Sequence, residues 1–407
     1  MSPEWLIHDG VVVPSVIVLS HAEQLDRLRQ TCPEAAERAV VLGDPVFDRM
    51  TASSALRPSY RRAYGIGQGQ RLVVVSSTWG DESLFGQHPR LPLELAERLP
   101  SDEFRVIFIP HPNITAKHSK YAVSHWLAAA RRAGVRIPDD VDEWRAAIVA
   151  ADLVVGDHGS VPYYAACLGI PVLLATAPVE AVAPNSPIAA LLAAAPRLDP
   201  AGDYEKQVRA VRPTPADQAS SVPGGAAAAL RATLYRTMAL AEPGWAAEID
   251  LLPLPAVGIQ DAPSHLVWVH LMGPRAATVI RLPGERLRDD PHLPRGAHLV
   301  VSTVEPRRPW LTLADVLVGP PGPEADEWIA KSLAALPGAL LAAAPGPSGW
   351  TVGDRSGPFI TASGAAAELF VSVAYDQVSR GVRLDELTGD WTITTGEVVR
   401  SVTVSAR

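Results

Sequence analysis

The stretch "DLVVGDHGSVPYYAACLGIPVLLA", Asp152 to Ala175, sets an apolar run against an abrupt polar turn, Gly156-Asp157-His158-Gly159-Ser160. A helix-like segment and a second apolar run follow. Two short apolar runs around a helical segment form the pattern of a β-α-β unit. The first run has no polar alternation, so its strand is buried on both faces, as in a parallel sheet covered by helices. At the turn, the strand is expected to end at Gly156 and Ser160 to cap the next helix, with Pro162 tolerated in the first turn. The amides of Gly159, Ser160 and Val161 then point out of the helix N-terminus beside the Ser160 hydroxyl. That arrangement suits an anion, and Gly159 lets a ligand approach the backbone closely. His158 adds a hydrogen bond or a positive charge for a phosphate. Asp157 repels one, and is expected to turn back into the loop as an acceptor. The competing reading is a capped strand-to-helix turn with no ligand. A helix terminus is worth roughly 0.3–1 kcal/mol to an anion, and ~2 when partly buried. Micromolar binding needs about 8 kcal/mol, so a base and ribose pocket must supply the rest.

Outward from this stretch the same alternation continues. "RLVVVSS" (71–77), "FRVIFIP" (104–110), "ADLVVG" (151–156) and "IPVLLA" (170–175) read as strands. "LPLELAERLP", "YAVSHWLAAARRAG" and "DEWRAAIVAA" carry apolar residues at helical spacing between them. The expected fold class is α/β, with a doubly wound parallel sheet that is Rossmann-like. Ligands in such sheets bind beyond the carboxyl ends of the strands, which places "SSTWG" (76–80), "PHPN" (110–113) and "GDHGS" (156–160) on one edge. Residues 225–243 read as one long helix, and a linker is expected near 244–263. Beyond it, "APSHLVWVHLMG", "GAHLVVSTV" and "ADVLVG" read as strands, "EADEWIAKSLAAL" as a helix, and "WTITTGEVVRSVTV" as a hairpin turning near Thr395-Gly396. A separate C-terminal α/β domain is expected there. "ADVLVG" echoes "ADLVVG", but Pro320-Pro321 after it removes two backbone donors, which argues against a second phosphate site.

The chain has 407 residues, 47% hydrophobic and 20% charged, as in a folded globular protein of more than one domain. A net charge of −8 excludes the basic field that nucleic acid or an anionic membrane surface would select. The N-terminal apolar stretch has no basic leader and is broken by Pro14, and no apolar run reaches the ~20 residues of a membrane span, so a cytoplasmic protein is expected. Cys32 and Cys167 form neither a metal spacing nor a disulfide framework, and Cys167 reads as a packed core thiol. His111, His118 and His125 recur every seven residues, about 10 Å along a helix, too far apart to share an ion, so no metal is expected. The acidic run Asp139-Asp140 and Asp142-Glu143 reads as capping of the helix after it. Trp126 and Trp144 fit helix core faces, which leaves Trp79 as the tryptophan for stacking on a base.

Together these residues resemble a family. "VVLGDPVFDRM" (40–50) resembles the G-x-P-x-x-D junction that joins the two domains of GT-B-fold transferases. "LVVVSSTWGDESLF" (72–85) is similar to the opening strand and P-T-W loop of their donor domain, and "IPHPN" (109–113) to their H-P. "ADLVVGDHGSVPYYAACLGIPVLL" (151–174) is similar to their D-x-S-S/H-G-x-S donor loop. Among them the CDP-glycerol glycerophosphotransferases of teichoic acid synthesis are the most similar, with GT-B glycosyltransferases and UDP-N-acetylglucosamine 2-epimerases further off. The resemblance covers about 40–175. It implies a remnant of the first GT-B domain and the interdomain junction at 1–50, a nucleotide-donor-binding domain at 51–245, and a C-terminal domain of unread role at 260–407. It further implies that His111 is catalytic, lying near the donor phosphates, and that Gly159 and Ser160 hold the pyrophosphate. Thr78, Trp79, His158, Val161 and Tyr164 complete the expected nucleotide diphosphate site.

The implied function is the donor-binding part of a glycosyl- or glycerophospho-transferase. Its substrate would be a nucleotide-linked sugar or polyol, with no metal and no other cofactor. A nucleotide-sugar epimerase and a non-catalytic binding module are the alternatives. Two features depart from the family. Tyr164 stands where relatives carry an Asp or Glu that accepts from the ribose hydroxyls, and a phenol is no bidentate anion. The junction motif begins near residue 40 rather than midway, so most of a first domain, with its acceptor-side base, is expected upstream of Met1. Any peripheral contact with a membrane is expected to run through that domain.

Overall fold

The computed structural model of the protein describes residues 3–216, 219–288, 292–322 and 324–407. Strands Ile17–Leu19 and Ala39–Val41 pair in parallel across helix Ala22–Thr31, around a small core of Leu6, Ile17, Leu19, Leu28, Cys32 and Ala35. The chain then turns through Gly43, whose φ of +86° only glycine adopts readily. It enters helix Pro45–Ser53 with Asp44 as N-cap, accepting from the amides of Val46 and Phe47 at 2.9 and 3.0 Å, and Pro45 in the first turn.

A four-stranded, all-parallel sheet follows, in the order Phe104–Pro110, Arg71–Ser77, Leu153–Gly156, Val172–Leu174. These are the four strands read from the sequence, shortened by up to two residues at their ends. Both faces are buried. Val73, Val75, Val106, Phe108 and Val155 point to one core, and Leu72, Val74, Ile107, Val154 and Val172 to the other. Asp152 fixes the start of its strand by accepting from the Leu72 amide at 2.7 Å while paired with Arg57 and Arg61. The helix expected over 121–134 is broken into Lys120–Trp126 and Ala128–Arg132. The long helix spans Ala226–Thr237, and its first amides are held by Asp48, which accepts from Gly224 and Ala226 at 2.8 and 3.0 Å.

The connector after it lies along this unit: Tyr60 donates its hydroxyl to the Leu252 carbonyl at 2.7 Å, and the Leu252 amide donates to Ser53 at 3.0 Å. The C-terminal region mixes helices and strands as expected, but its architecture differs from an open α/β sheet. Nine strands between Ser264 and Ala406 close into a barrel. Within it Ala297–Ser302, Val316–Val318 and Leu341–Gly346 are parallel neighbours, which is the β-α-β-α-β pattern visible in the sequence. The hairpin at 396–397 also forms as expected. Closure comes from Ala276–Pro283 pairing with Gly389–Thr395, a contact between segments more than a hundred residues apart. Helix Ala367–Ser379 packs on inward side chains from strands around the barrel, and helix Ala325–Ala335 covers an outer face.

The barrel is tied to the sheet's amino edge. Arg281 bonds Asp102 at 2.9 and 2.6 Å, Arg132 meets the buried Glu285 at 2.9 Å, and the Ser101 amide donates to the Arg281 carbonyl at 2.9 Å. The carboxyl edge of the sheet stays open.

Candidate functional site

Strand Arg71–Ser77 is followed by Phe104–Pro110 on one side, and the chain then crosses to Leu153–Gly156 on the other. The connections therefore diverge between Arg71–Ser77 and Leu153–Gly156, where α/β sheets open a crevice. Asp157 fills its floor. It is 1% exposed and accepts from the amides of Thr78, Leu84 and Gly159 at 2.8, 2.9 and 3.1 Å, and from the Thr78 hydroxyl at 2.8 Å. This is the inward turn expected of Asp157. It leaves the Thr78 hydroxyl committed to the loop, and a carboxylate on the first helix amide after that strand.

Helix Ser160–Cys167 departs from expectation by one residue. Gly159 is its N-cap, in extended conformation, and Ser160 is the first helical residue. Asp157 accepts from the Gly159 amide and holds Gly159 in the extended turn of an N-cap, while no side chain caps the first amides of the helix itself. A Cβ on Gly159 would lie 2.6 Å from the Thr78 methyl, so the tight packing of the two loops requires glycine there. Pro162 has no amide to offer and Gly159's is taken. The amides of Ser160 and Val161 and the Ser160 hydroxyl have no intramolecular partner among the described residues. These are the donors a helix N-terminus presents to an anion.

They face a cleft of about 670 Å³ that also contains His111, Ser76, Ser77, Lys120, Arg131 and Trp144. His111 caps helix Pro112–His118, and its Nδ1 accepts from the Asn113 amide at 3.1 Å. In the neutral ring that places the proton on Nε2, leaving a donor for the cleft. Burial lowers the His111 pKa, opposed by the Asp157 carboxylate. Beyond His111 the cleft is walled by Ile137, Pro138, Val141 and Trp144, with Asp139 and Asp140 at the rim.

Of the residues expected at one site, the structure brings His111, Ser160 and Val161 into this cleft. Trp79 is 53% exposed and faces a different hollow, of about 450 Å³, with Phe85, Ile114, His118 and Trp126. His158 is half-buried, and its Nδ1 is sealed without a partner among the described residues. Tyr164 donates its hydroxyl to Asp44 at 2.6 Å, and burial with that carboxylate raises its pKa. Tyr164 lines a third hollow of about 290 Å³ between helix Ala22–Thr31 and Ser160, with Asp44, Ser20 and Arg27.

Trp144 is the cleft residue that periodicity assigned to the core. It is half-buried, stacks on Tyr164 at 5.8 Å and carries Arg145 on its ring at 4.9 Å. Trp126 is 50% exposed, and Cys167 half-buried, where both were expected in the core. Asp140 accepts from the Asp142 amide at 2.8 Å in the preceding turn, but no side chain of the acidic run caps helix Trp144–Ala150. Glu143 pairs with Arg136 at 2.8 Å and Asp142 with Arg145 at 2.5 Å, because arginines lie within reach of both. Lys120 and Arg131 drew no notice in the sequence because neither belongs to a motif. No cluster of metal-ligating side chains occurs among the described residues, and no described helix is long and apolar enough to cross a membrane.

Neither a protein-family model nor a curated protein matches the chain. Solved structures do resemble parts of it. The wall teichoic acid polymerase TagF (H444N variant) is 14% identical with a TM-score of 0.32, over 40% of this chain and 39% of that one. The Methanocaldococcus jannaschii UDP-GlcNAc 2-epimerase is 14% identical with a TM-score of 0.35, over 54% of this chain and 61% of that one. A glycosyltransferase from Rickettsia africae is 12% identical with a TM-score of 0.27, over 48% of this chain and 52% of that one. The chain thus spans between 39% and 61% of the length of these proteins.

Proposed function

We propose that the cleft at 111 and 160–161 binds a nucleoside diphosphate-linked sugar or polyol, and that the chain is the donor-binding part of a metal-independent transferase. The observation that carries this reading is the pair of unpartnered amides at Ser160 and Val161, opening with the Ser160 hydroxyl into a cleft shared with His111. Two amides and a hydroxyl suit one phosphate, and Nε2–H of His111 suits its neighbour. Lys120 and Arg131 add charge that offsets the acidic rim. The apolar wall of Ile137, Val141 and Trp144 suits a base and supplies the part of the affinity that a helix terminus cannot. In a transfer step, His111 and the two amides stabilise the charge that develops on the departing nucleoside diphosphate. Tyr164 acts at the junction through Asp44 rather than on the ribose.

Titration calorimetry with CDP, UDP and GDP tests the reading, on the chain and on Ser160→Ala, His111→Ala and Tyr164→Phe. One of the three nucleotides is expected to bind, about tenfold more weakly after either of the first two substitutions, the ~1.4 kcal/mol of one charge-assisted hydrogen bond. Tyr164→Phe is expected to leave that affinity within about twofold. A folded sample that binds none of the three nucleotides ends the donor-site reading.

A further inference from the structure

At one mouth of the barrel, strands Ser264–Gly273 and Ala276–Pro283 meet the first turns of helix Ala367–Ser379 around a cavity of about 240 Å³. Val300, Val318, Leu369, Val371 and the Trp350 ring form apolar walls, and Asp261, His265, Arg281, Ser302, Glu368 and Ser372 supply polar groups. Most of these are already matched. Arg281 bonds Asp102 through Nε and Nη2 and Glu368 through Nη1 at 2.6 Å, Asp261 pairs with Arg105, and Ser302 accepts from the Val304 amide at 3.4 Å.

Two groups are left over. His265 is 8% exposed and Ser372 is 4% exposed; both line the cavity, and neither side chain makes a hydrogen bond among the described residues, to each other or to anything else. Their polar atoms open onto the cavity rather than being sealed in the protein, so they stay available to a molecule that enters it. Two uncommitted hydrogen-bonding groups on one hollow at a barrel mouth, a common place for small-ligand sites, suit a ligand from outside.

We infer that the barrel mouth is a second ligand site, for a small uncharged molecule rich in hydroxyl groups, a polyol or sugar, held by His265 and Ser372 with its carbon face against Trp350 and Leu369. The charged groups decide the class. Asp261 is matched by Arg105 and Asp102 by Arg281, and the one surplus charge, on Glu368, is half exposed and screened by water, so the buried groups hold no counter-charge for an ionic ligand. Burial, with Arg281 beside it, lowers the His265 pKa to about 4, so the ring is neutral and offers one donor and one acceptor. A serine hydroxyl offers both as well, and a ligand hydroxyl answers both. The volume is that of about eight waters at ~30 Å³ each, room for a molecule between glycerol and a hexose in size. The site lies at the amino end of strand Phe104–Pro110, beside Asp102 and Arg105, whereas His111 follows its carboxyl end. It is therefore independent of the donor cleft.

Saturation-transfer NMR on the full chain with glycerol, ribitol and glucose tests this, with butylamine and butyrate as charged probes. At least one neutral probe is expected to saturate at millimolar concentration. Ser372→Ala and His265→Phe are each expected to weaken it tenfold or more. Ser372→Ala removes only an unbonded hydroxyl, so it keeps the test valid if His265→Phe disturbs the fold. The inference is overturned if no neutral probe saturates, if Ser372→Ala leaves saturation unchanged, or if a charged probe binds more tightly.

Discussion

Asp157 couples the two loops on which the donor cleft depends, because the amides of Thr78, Leu84 and Gly159 and the Thr78 hydroxyl all converge on one buried carboxylate. Replacing it with alanine leaves those donors facing an empty space, and the expected cost is about 3–5 kcal/mol, the scale of breaking a buried charged network. Asp157→Asn keeps an acceptor for Thr78 and Leu84 but turns an amide toward the Gly159 N–H, for roughly half that cost. Urea unfolding measures both, and a loss below about 1 kcal/mol for Asp157→Ala contradicts the coupling. The inward turn of this residue was legible in the sequence, since a carboxylate beside a phosphate site must be directed away from it. The bond of Tyr164 to Asp44 was not, because it joins residues 120 apart and neither lies in a pattern that names the other. The cap was misplaced by one position for a local reason. Asp157 holds the Gly159 amide and keeps Gly159 in the extended conformation of an N-cap, which leaves Ser160 as the first helical residue.

At the scale of elements, Gly43-Asp44-Pro45-Val46-Phe47-Asp48 shows how a short motif organises distant chain. Gly43 makes the turn, Asp44 and Pro45 start one helix, and Asp48 starts another, Ala226–Thr237, from 176 residues away. Asp48 is 4% exposed, so its two bonds to the Gly224 and Ala226 amides are protected from water. Asp48→Ala is expected to lower stability by about 2 kcal/mol, the upper range for a lost cap. Amide exchange should quicken in 226–237 before it does in the parallel sheet, and equal protection of the two regions would contradict the role. The parallel sheet was legible almost strand for strand because burial of both faces gives an unbroken apolar run with a fixed length. Trp144 was assigned to the core for the same kind of reason. Its spacing is that of a buried helix face, but at a helix start the face it presents is the wall of the cleft.

The barrel is where the whole molecule exceeds its sequence. Its parallel strands were readable as β-α-β pieces, but closure depends on which distant edges pair, and no local period encodes that. Closure also buries two histidines, with a consequence that can be measured. His298 is 3% exposed, stacks on Tyr375 at 4.3 Å, and has its Nε2 sealed without a partner among the described residues. Burial lowers its pKa to about 4, and burial with Arg281 does the same for His265. An unfolded histidine takes its proton near 6.5, whereas these two take theirs in the fold only near 4. Their contribution to stability is therefore complete above pH 6.5 and is lost as the pH falls toward 4, on the order of 3 kcal/mol each. Burial works to raise the Asp102 and Asp261 carboxyls, but Arg281 and Arg105 override it and hold both below their ordinary 3.8, so these acids lose their contribution only at still lower pH. Between pH 4.5 and 7.5 the two histidines should dominate the slope contributed by the barrel. Thermal unfolding across that range is expected to show a melting temperature that falls steadily below pH 6.5, and His298→Leu to remove about half of the fall. A flat profile, or a slope that His298→Leu leaves intact, would mean that water reaches these rings in the folded barrel.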